Sequence, residues 1–279
     1  MIPAFAMFTL AASLAAACRH GLAVEPSRVT PSASGLGAVV SQSDAAEAQD
    51  SVDAGGSPVV AADAAPAIPA FLAGFSPGTT NELTRTDSTD DGRTTTNVEA
   101  TFDLERPTEI VDYVAPNGNT IEQTMGRRRS DGESFRYDIQ HVLAQIRFYR
   151  SLVPERNVVL VVLEAPDLSW PTWVKRHADA PVRARALLLG QAKFVRAPRF
   201  AWVSHSGGGS LVLAAVDGAR SIPDEVDKVV FLDSDYAFEA KSGHGQKLAA
   251  WLRGAPSHRL VALAYDDRKI RLFERKKWS

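Results

Sequence analysis

A serine at the end of an apolar run is the residue of this sequence best placed to do chemistry. Residues 200–203 read as a buried strand, Ser206 follows shortly after, and a helix-like stretch comes next at 210–216. A sharp strand-to-helix turn lifts a serine hydroxyl above a sheet edge, and it needs small residues two positions before and after that serine. Ser204 and Gly208 meet this need. The pattern therefore predicts that Ser206 is a nucleophile.

The same glycine-rich turn has a second interpretation, as a cradle for phosphate at a helix N-terminus. A dinucleotide-binding turn would need the spacing G-x-G-x-x-G, and a P-loop would need a lysine after its last glycine. Neither feature is present here. The sequence therefore favours the nucleophilic serine.

Composition argues against several other classes of function. The formal net charge of the 279 residues is -2, which gives no excess of positive charge for binding nucleic acid. Cys18 is the only cysteine, so no internal disulfide can form. The histidines do not share ligand-like spacing with cysteines or carboxylates, so no metal is predicted and no other cofactor is implied.

The first residues resemble an export signal. Residues 1–17 are apolar, rich in alanine and short for a membrane span. Cys18 follows, as in a bacterial lipoprotein signal, where the cysteine becomes the lipidated first residue of the mature protein. An ordinary secretory signal cut near Ala17 and a mis-assigned start codon are the alternatives. We therefore expect an exported protein, either lipid-anchored in the cell envelope or secreted.

The rest of the chain divides by composition into a tether and a folded domain. Residues 19–93 contain few large apolar side chains and predict a flexible tether. Residues 94–279 alternate between strand and helix patterns, and this alternation predicts an α/β fold with a mostly parallel sheet flanked by helices. Strands are predicted at 95–104, 109–115, 157–163, 228–232 and 259–265, and helices at 137–153, 181–194 and 246–253.

This order of elements, together with the serine turn, resembles the α/β-hydrolase family. The resemblance runs from the strand before Pro116 to the strand ending at Tyr265. It implies a serine hydrolase that cleaves a small-molecule ester or amide through an acyl-enzyme at Ser206. It also implies that the first oxyanion donor is the backbone N–H of Gly207.

The second oxyanion donor implied by the resemblance lies in the loop after an earlier strand, at Asn117 or Gly118. Residues 116–119 also fit an ordinary turn. The acid that orients the catalytic base should follow one of the last two strands. Asp266 is the first choice, with two alternatives one strand earlier, Asp233 and Asp235.

The catalytic base is the difficult assignment. In the family the histidine follows the acid, but residues 268–279 contain no histidine. His205 is a poor candidate because neighbouring side chains at a turn point apart. Three explanations remain: the chain is incomplete at its C-terminus, the base is His244 on a glycine-flanked loop at the ligand-binding edge, or the protein is a non-catalytic, hydrolase-like binding protein.

Overall fold

The computed structural model describes residues 68–78, 80–127 and 141–264, in which eight strands form one mixed sheet. The strands are β1 (Ser76–Pro77), β2 (Glu82–Thr89), β3 (Gly92–Glu99), β4 (Thr108–Val114), β5 (Asn157–Glu164), β6 (Arg199–His205), β7 (Val226–Leu232) and β8 (Arg259–Leu263). Their order across the sheet is β1-β2-β3-β5-β4-β6-β7-β8. Strands β4 to β8 run parallel to their neighbours among themselves, whereas β1, β2 and β3 are added in antiparallel pairings.

The α-helices of the described residues cover both faces of this sheet. They are α1 (Ile121–Met125), α2 (Val142–Leu152), α3 (Trp170–Arg176), α4 (Ala180–Leu189), α5 (Gly209–Asp217) and α6 (His244–Gly254). Helices α1 and α2 contribute to one apolar cluster, whereas α3 to α6 contribute to the larger cluster on the other face. The side chains in these clusters include Ile121, Ile146, Tyr149, Trp170, Ala184, Val212 and Trp251.

The two strands at the centre of the sheet are buried along their whole length. Every residue of β4 and of β5 is buried, as their continuous β-branched and apolar sequences predict for a parallel sheet covered on both faces. Along β4 the side chains alternate, so that Ile110 and Val114 join the larger cluster while Val111 joins the other. The predicted fold class, an α/β fold with a mostly parallel sheet flanked by helices, is confirmed.

The predicted boundary between tether and domain, at residue 94, is wrong. The ordered structure is already present at residue 68 and includes β1 and β2 before that boundary. Leu72, Phe75 and Leu83 are buried in the larger apolar cluster. Leu72 and Phe75 lie in a short segment rich in alanine, proline and glycine, and Leu83 lies among polar residues. Neither segment has the periodic apolar pattern of a long strand or helix, so the sequence does not reveal that they share one core.

A buried ion pair attaches the β2–β3 hairpin to α2. Arg150 Nη1 donates to Glu82 Oε1 at 3.0 Å and to Asn97 Oδ1 at 3.0 Å, and Arg147 Nη2 donates to Glu82 Oε2 at 2.6 Å. Burial alone would raise the pKa of Glu82, but the hydrogen bonds and positive charges of the two arginines lower it overall. Glu82 and Asn97 of the hairpin therefore face charged partners on α2 rather than solvent.

Asp112 lies at the middle of β4 and has no compensating partner among the described residues. Its side chain is fully buried between Val161 and Trp202 on the neighbouring strands. Neither carboxyl oxygen has a hydrogen-bond partner among the described residues. Burial raises the pKa of Asp112 well above its usual range, because a charged carboxylate is strongly disfavoured without water.

Several sequence predictions fall outside the described residues. The export signal with Cys18, most of the predicted tether and the preferred acid Asp266 belong to this group. Export and lipidation at Cys18 therefore stay predictions from the sequence. Within the described ranges, every helix is too short or too polar to cross a membrane.

Candidate functional site

The sharp bend predicted at Ser206 is present. Strand β6 ends at His205 in extended conformation, with φ -122° and ψ 133°, and the chain then turns directly into a single 3-10 turn, Ser206–Gly208. Ser206 itself has φ 49°, a left-handed value that non-glycine residues seldom adopt. The turn continues into α5, and Ser206 stays partly exposed at the carboxyl end of the sheet.

Two glycines of this turn lie against main-chain carbonyl groups. A Cβ atom on Gly208 would lie 2.5 Å from the carbonyl oxygen of Val114, at the end of β4. A Cβ atom on Gly209 would overlap the carbonyl oxygen of Ser234 and lie 2.8 Å from its carbonyl carbon. Because a backbone carbonyl cannot rotate away, these contacts explain why the bend (residues 204–209, "the elbow") carries glycine at both positions.

Asn117 lies directly over the elbow. A Cβ atom on Gly207 would overlap the carboxamide of Asn117, so the two residues are in close contact. The N–H of Gly207 is at the start of the turn, where backbone donors have no acceptor within the helix. This donor and Asn117 are therefore side by side at the positive, N-terminal end of α5.

Gly118, the other predicted oxyanion residue, is already engaged. Its N–H donates to the carbonyl oxygen of Leu168 at 2.9 Å. The loop after β5 thus holds the loop after β4 (residues 115–120, "the β4 loop"), and the Gly118 donor is not available to a substrate. This assignment was wrong because its hydrogen-bond partner lies fifty residues away in sequence, where no local pattern indicates it.

The β4 loop is also fixed at its far end. The N–H of Ile121 donates to Glu164 Oε2 at 2.6 Å, and Arg93 Nε donates to Glu164 Oε1 at 2.9 Å. Thr120 caps α1, because its hydroxyl accepts from Gln123 N while its own N–H donates to the Gln123 side chain. Together these contacts place Asn117 on a loop that is held from both sides.

A buried pair of hydroxyl groups joins the elbow to the loop after β7 (residues 233–239, "the β7 loop"). The Oγ atoms of Ser204 and Ser234 lie 2.6 Å apart, and Ser234 Oγ also donates to the carbonyl oxygen of Ser204 at 3.1 Å. Ser204 is 0% exposed and Ser234 is 1% exposed. Ser204, one of the two small residues that the bend needs, therefore also joins β6 to the β7 loop.

The β7 loop carries two of the predicted acids. Asp233 has φ 47°, and its N–H donates to the carbonyl oxygen of Leu263 at 2.6 Å. Asp235 is exposed, two residues further along. Burial lowers the pKa of His205, and the negative charge of Asp233 partly opposes that effect. His205, the residue before Ser206, pairs with Leu232 across β6 and β7, so Asp233 follows directly beside it.

His244 is not in the predicted position. It is the first residue of α6 rather than a loop residue, and it is 3% exposed. Its Nε2 lies 2.9 Å from Asp217 Oδ2, and its Nδ1 accepts the N–H of Glu239 at 3.0 Å. Asp217 ends α5, about 12 Å from the elbow at the helical rise of 1.5 Å per residue. His244 therefore joins α6 to the far end of α5, and assigning it as the base of Ser206 was wrong.

Other histidines of the described chain have structural contacts. His177 Nδ1 lies 2.8 Å from the carbonyl oxygen of Trp173, and His258 Nδ1 lies 2.6 Å from that of Trp251, on whose ring it also stacks. No imidazole within the described ranges is hydrogen-bonded to Ser206. The same ranges contain no group of three histidine, cysteine or carboxylate side chains placed to hold a metal ion.

A cavity of about 450 Å³ lies apart from the elbow. Its wall is formed by the β2–β3 hairpin, the C-terminal end of α4 and Trp170, and it includes no elbow residue. Of the charged residues that line it, Arg85 pairs with Asp87, and Asp91 pairs with Arg183 outside the lining. The cavity therefore does not extend the candidate site.

Comparisons with known proteins give matches only at the level of structure. No protein-family model matches the sequence, and no curated protein is detectably similar to it. A cold-adapted esterase from an Arctic intertidal metagenomic library is 10% identical, with a TM-score of 0.38, and the match covers 67% of this chain and 74% of that one.

Two further solved structures are similar to a comparable degree. The siderophore hydrolase EstB of Aspergillus nidulans is 13% identical with a TM-score of 0.38, covering 72% of this chain and 74% of its own. A serine-to-alanine mutant of the feruloyl esterase module of Clostridium thermocellum, complexed with sinapinate, is 10% identical with a TM-score of 0.36, covering 67% and 71%.

Proposed function

We propose that this protein is a serine hydrolase that cleaves a small-molecule ester or amide through an acyl-enzyme at Ser206. The observation that carries the proposal is the backbone of Ser206. A non-glycine residue at φ 49°, between a buried strand and a helix, needs the close packing of Gly208 and Gly209 to hold it. Strain of this kind persists where the surrounding structure over-determines it, and it clusters at functional sites.

The chemistry follows from what surrounds the hydroxyl. The oxygen of Ser206 attacks the carbonyl carbon, the C–O or C–N bond of the substrate breaks, and the hydroxyl proton of Ser206 leaves with the alcohol or amine. Water later hydrolyses the acyl-enzyme and releases the acid. The negative charge that develops on the carbonyl oxygen is stabilised by the N–H of Gly207 and by Asn117, at the positive end of α5. Asp233 and Asp235 are the candidate acids among the described residues at this edge, and Asp266 is the alternative outside the described residues.

A second candidate function is a hydrolase-like binding protein without turnover. The observation that favours it is specific: no imidazole of the described residues is hydrogen-bonded to Ser206, and His244 is engaged at both ring nitrogens. A serine hydroxyl without a base is a weak nucleophile. In this case the elbow would present a pocket to a ligand, and exchanging the serine would leave binding unchanged.

Labelling with a fluorophosphonate probe distinguishes the two functions. We expect the full chain to be labelled at Ser206, as located by peptide mass mapping, and Ser206→Ala to abolish the label. Ser210→Ala, which removes a hydroxyl one turn further along α5, is the matched control and should be labelled like the wild type. If a reference serine hydrolase reacts under the same conditions while the folded wild-type chain does not, the binding function is supported instead.

A further inference from the structure

The contact between the elbow and the β7 loop consists of polar groups that have been removed completely from water. Ser204 and Ser234 are both buried, and their hydroxyl groups lie 2.6 Å apart. The second hydroxyl also donates to the main-chain oxygen of Ser204, and the first lies 3.4 Å from the carbonyl oxygen of Val230. Buried hydroxyl groups with this many partners fix the relative position of the segments that carry them.

The elbow and the β7 loop each contain a residue of the proposed site whose backbone has a strained, positive φ. Ser206, two residues after Ser204, has φ 49°, and Asp233, directly before Ser234, has φ 47°. The strands that precede these residues, β6 and β7, are parallel neighbours in the sheet, so both bends lie at the carboxyl edge of the sheet. The hydroxyl pair lies directly below these two bends and joins one to the other.

A third contact leaves the two segments almost no freedom to move apart or together. Gly209 packs against the main chain of Ser234 so closely that a methyl group would not fit between them. The hydroxyl pair resists separation of the two segments, whereas the close contact of Gly209 with Ser234 resists any closer approach. The distance between the elbow and the β7 loop is therefore set from both directions.

We propose that the Ser204–Ser234 hydroxyl pair is a positioning device, which holds Asp233 beside His205 at the edge where Ser206 is presented. Neither serine touches a substrate in this proposal, and both act through the residues next to them in sequence. The pair also gives a reason for serine at position 204, because a glycine there would leave Ser234 without its hydroxyl partner. Where the readout is labelling of Ser206, the inference rests on the proposed function.

The first readout is the rate at which the fluorophosphonate probe labels Ser206. We expect Ser234→Ala to slow labelling about fivefold, the factor that corresponds to one hydrogen bond of ordinary strength. Ser204→Gly should have a similar effect, because it keeps a small residue at the bend and removes the hydroxyl together with its Cβ. The double variant should be no slower than Ser234→Ala, since both single changes break the same interaction.

The second readout does not depend on activity. The titration midpoint of the His205 imidazole is followed by NMR in histidine-labelled protein and assigned with His205→Gln. Among the described residues, Asp233 is the charged group that acts on His205, so Asp233→Asn should lower the midpoint. Ser234→Ala should also lower the His205 midpoint, because the carboxylate of Asp233 is no longer held in place.

Thr96→Val is the matched control for both readouts. Thr96 is 0% exposed on β3, and its hydroxyl has no partner among the described residues. We expect its exchange to change neither the labelling rate nor the His205 midpoint. A Ser234→Ala variant that labels at the wild-type rate and keeps the wild-type midpoint, while Asp233→Asn shifts it, would overturn the inference.

The two proposals can fail separately. If wild-type protein is not labelled, the hydrolase function fails, and the His205 midpoint alone decides whether the hydroxyl pair positions Asp233. If wild-type protein is labelled and the serine variants behave like Thr96→Val, the function stands and the positioning role does not. If Ser234→Ala does not fold, Ser204→Gly supplies the same comparison.

Discussion

Replacing Gly209 by alanine should destabilise the protein, although the same exchange usually stabilises a helix. Gly209 is the first residue of α5, and alanine at a compatible site gains about 0.4–1 kcal/mol through the unfolded state. Here the added methyl group would overlap the carbonyl oxygen of Ser234 and lie 2.8 Å from its carbonyl carbon. The expected sign is therefore opposite to that given by helix propensity.

The size of the effect follows from what must move. Ordinary carbon–carbon contacts begin near 3.4 Å, so the elbow and the β7 loop would have to separate, which also strains the Ser204–Ser234 hydrogen bond. Forcing a methyl group into a packed interior costs about 1–3 kcal/mol and occasionally more. Relative to a glycine where alanine fits, we expect a loss of about 2–4 kcal/mol. That loss corresponds to a melting temperature lower by roughly 5–15 °C.

Gly190→Ala is the matched control. Gly190 follows α4 with an ordinary negative φ, and a Cβ atom there has no neighbour within 4 Å. The free energy of unfolding is measured for both variants by urea denaturation, with the slope against urea checked for a change in the unfolding transition. If Gly209→Ala is as stable as Gly190→Ala, the close packing of the elbow against the β7 loop is refuted.

Two further predictions concern buried ionisable groups. Burial raises the pKa of Asp112, so Asp112 ionises in the unfolded state first as pH rises, and the stability of the folded state falls above the ordinary carboxyl pKa of about 3.9. In urea denaturation at pH 7, Asp112→Asn should therefore be more stable than the wild type, and this difference should shrink toward pH 4. A difference that grows toward pH 4 would contradict this account. His244→Ala should lower the free energy of unfolding by about 1–3 kcal/mol, because it removes hydrogen bonds to Asp217 and to Glu239. The fluorophosphonate label at Ser206 should stay unchanged. Loss of the label in a folded His244→Ala protein would show that this histidine belongs to the site.

The elements that the sequence predicts best are those whose residues are buried on every side. The runs at 157–163 and 228–232 correspond to β5 and β7 within two residues at each end, because a continuous apolar run of strand length has few other stable environments. The turn at Ser206 was predicted for a similar reason. A strained serine needs small neighbours, and small residues are visible in a sequence.

Contacts between residues that are distant in sequence were not predictable in this way. The β2–β3 hairpin is polar and half-exposed, and its burial at Glu82 depends on two arginines of α2. Gly118 and His244 looked available because their partners, Leu168 and Asp217, lie far along the chain. Each of these residues has a chemically suitable type, and only the three-dimensional structure shows that its hydrogen-bonding capacity is already used.

The three glycines of the elbow differ in whether a substitution at each position could be compensated by a change elsewhere. Gly208 and Gly209 pack against carbonyl groups that every amino acid possesses, so no exchange of another side chain could compensate for a larger residue at either position. Gly207 packs against the side chain of Asn117, which can itself be exchanged. Positions 207 and 117 are therefore free to co-vary, whereas positions 208 and 209 are fixed by the main chain alone.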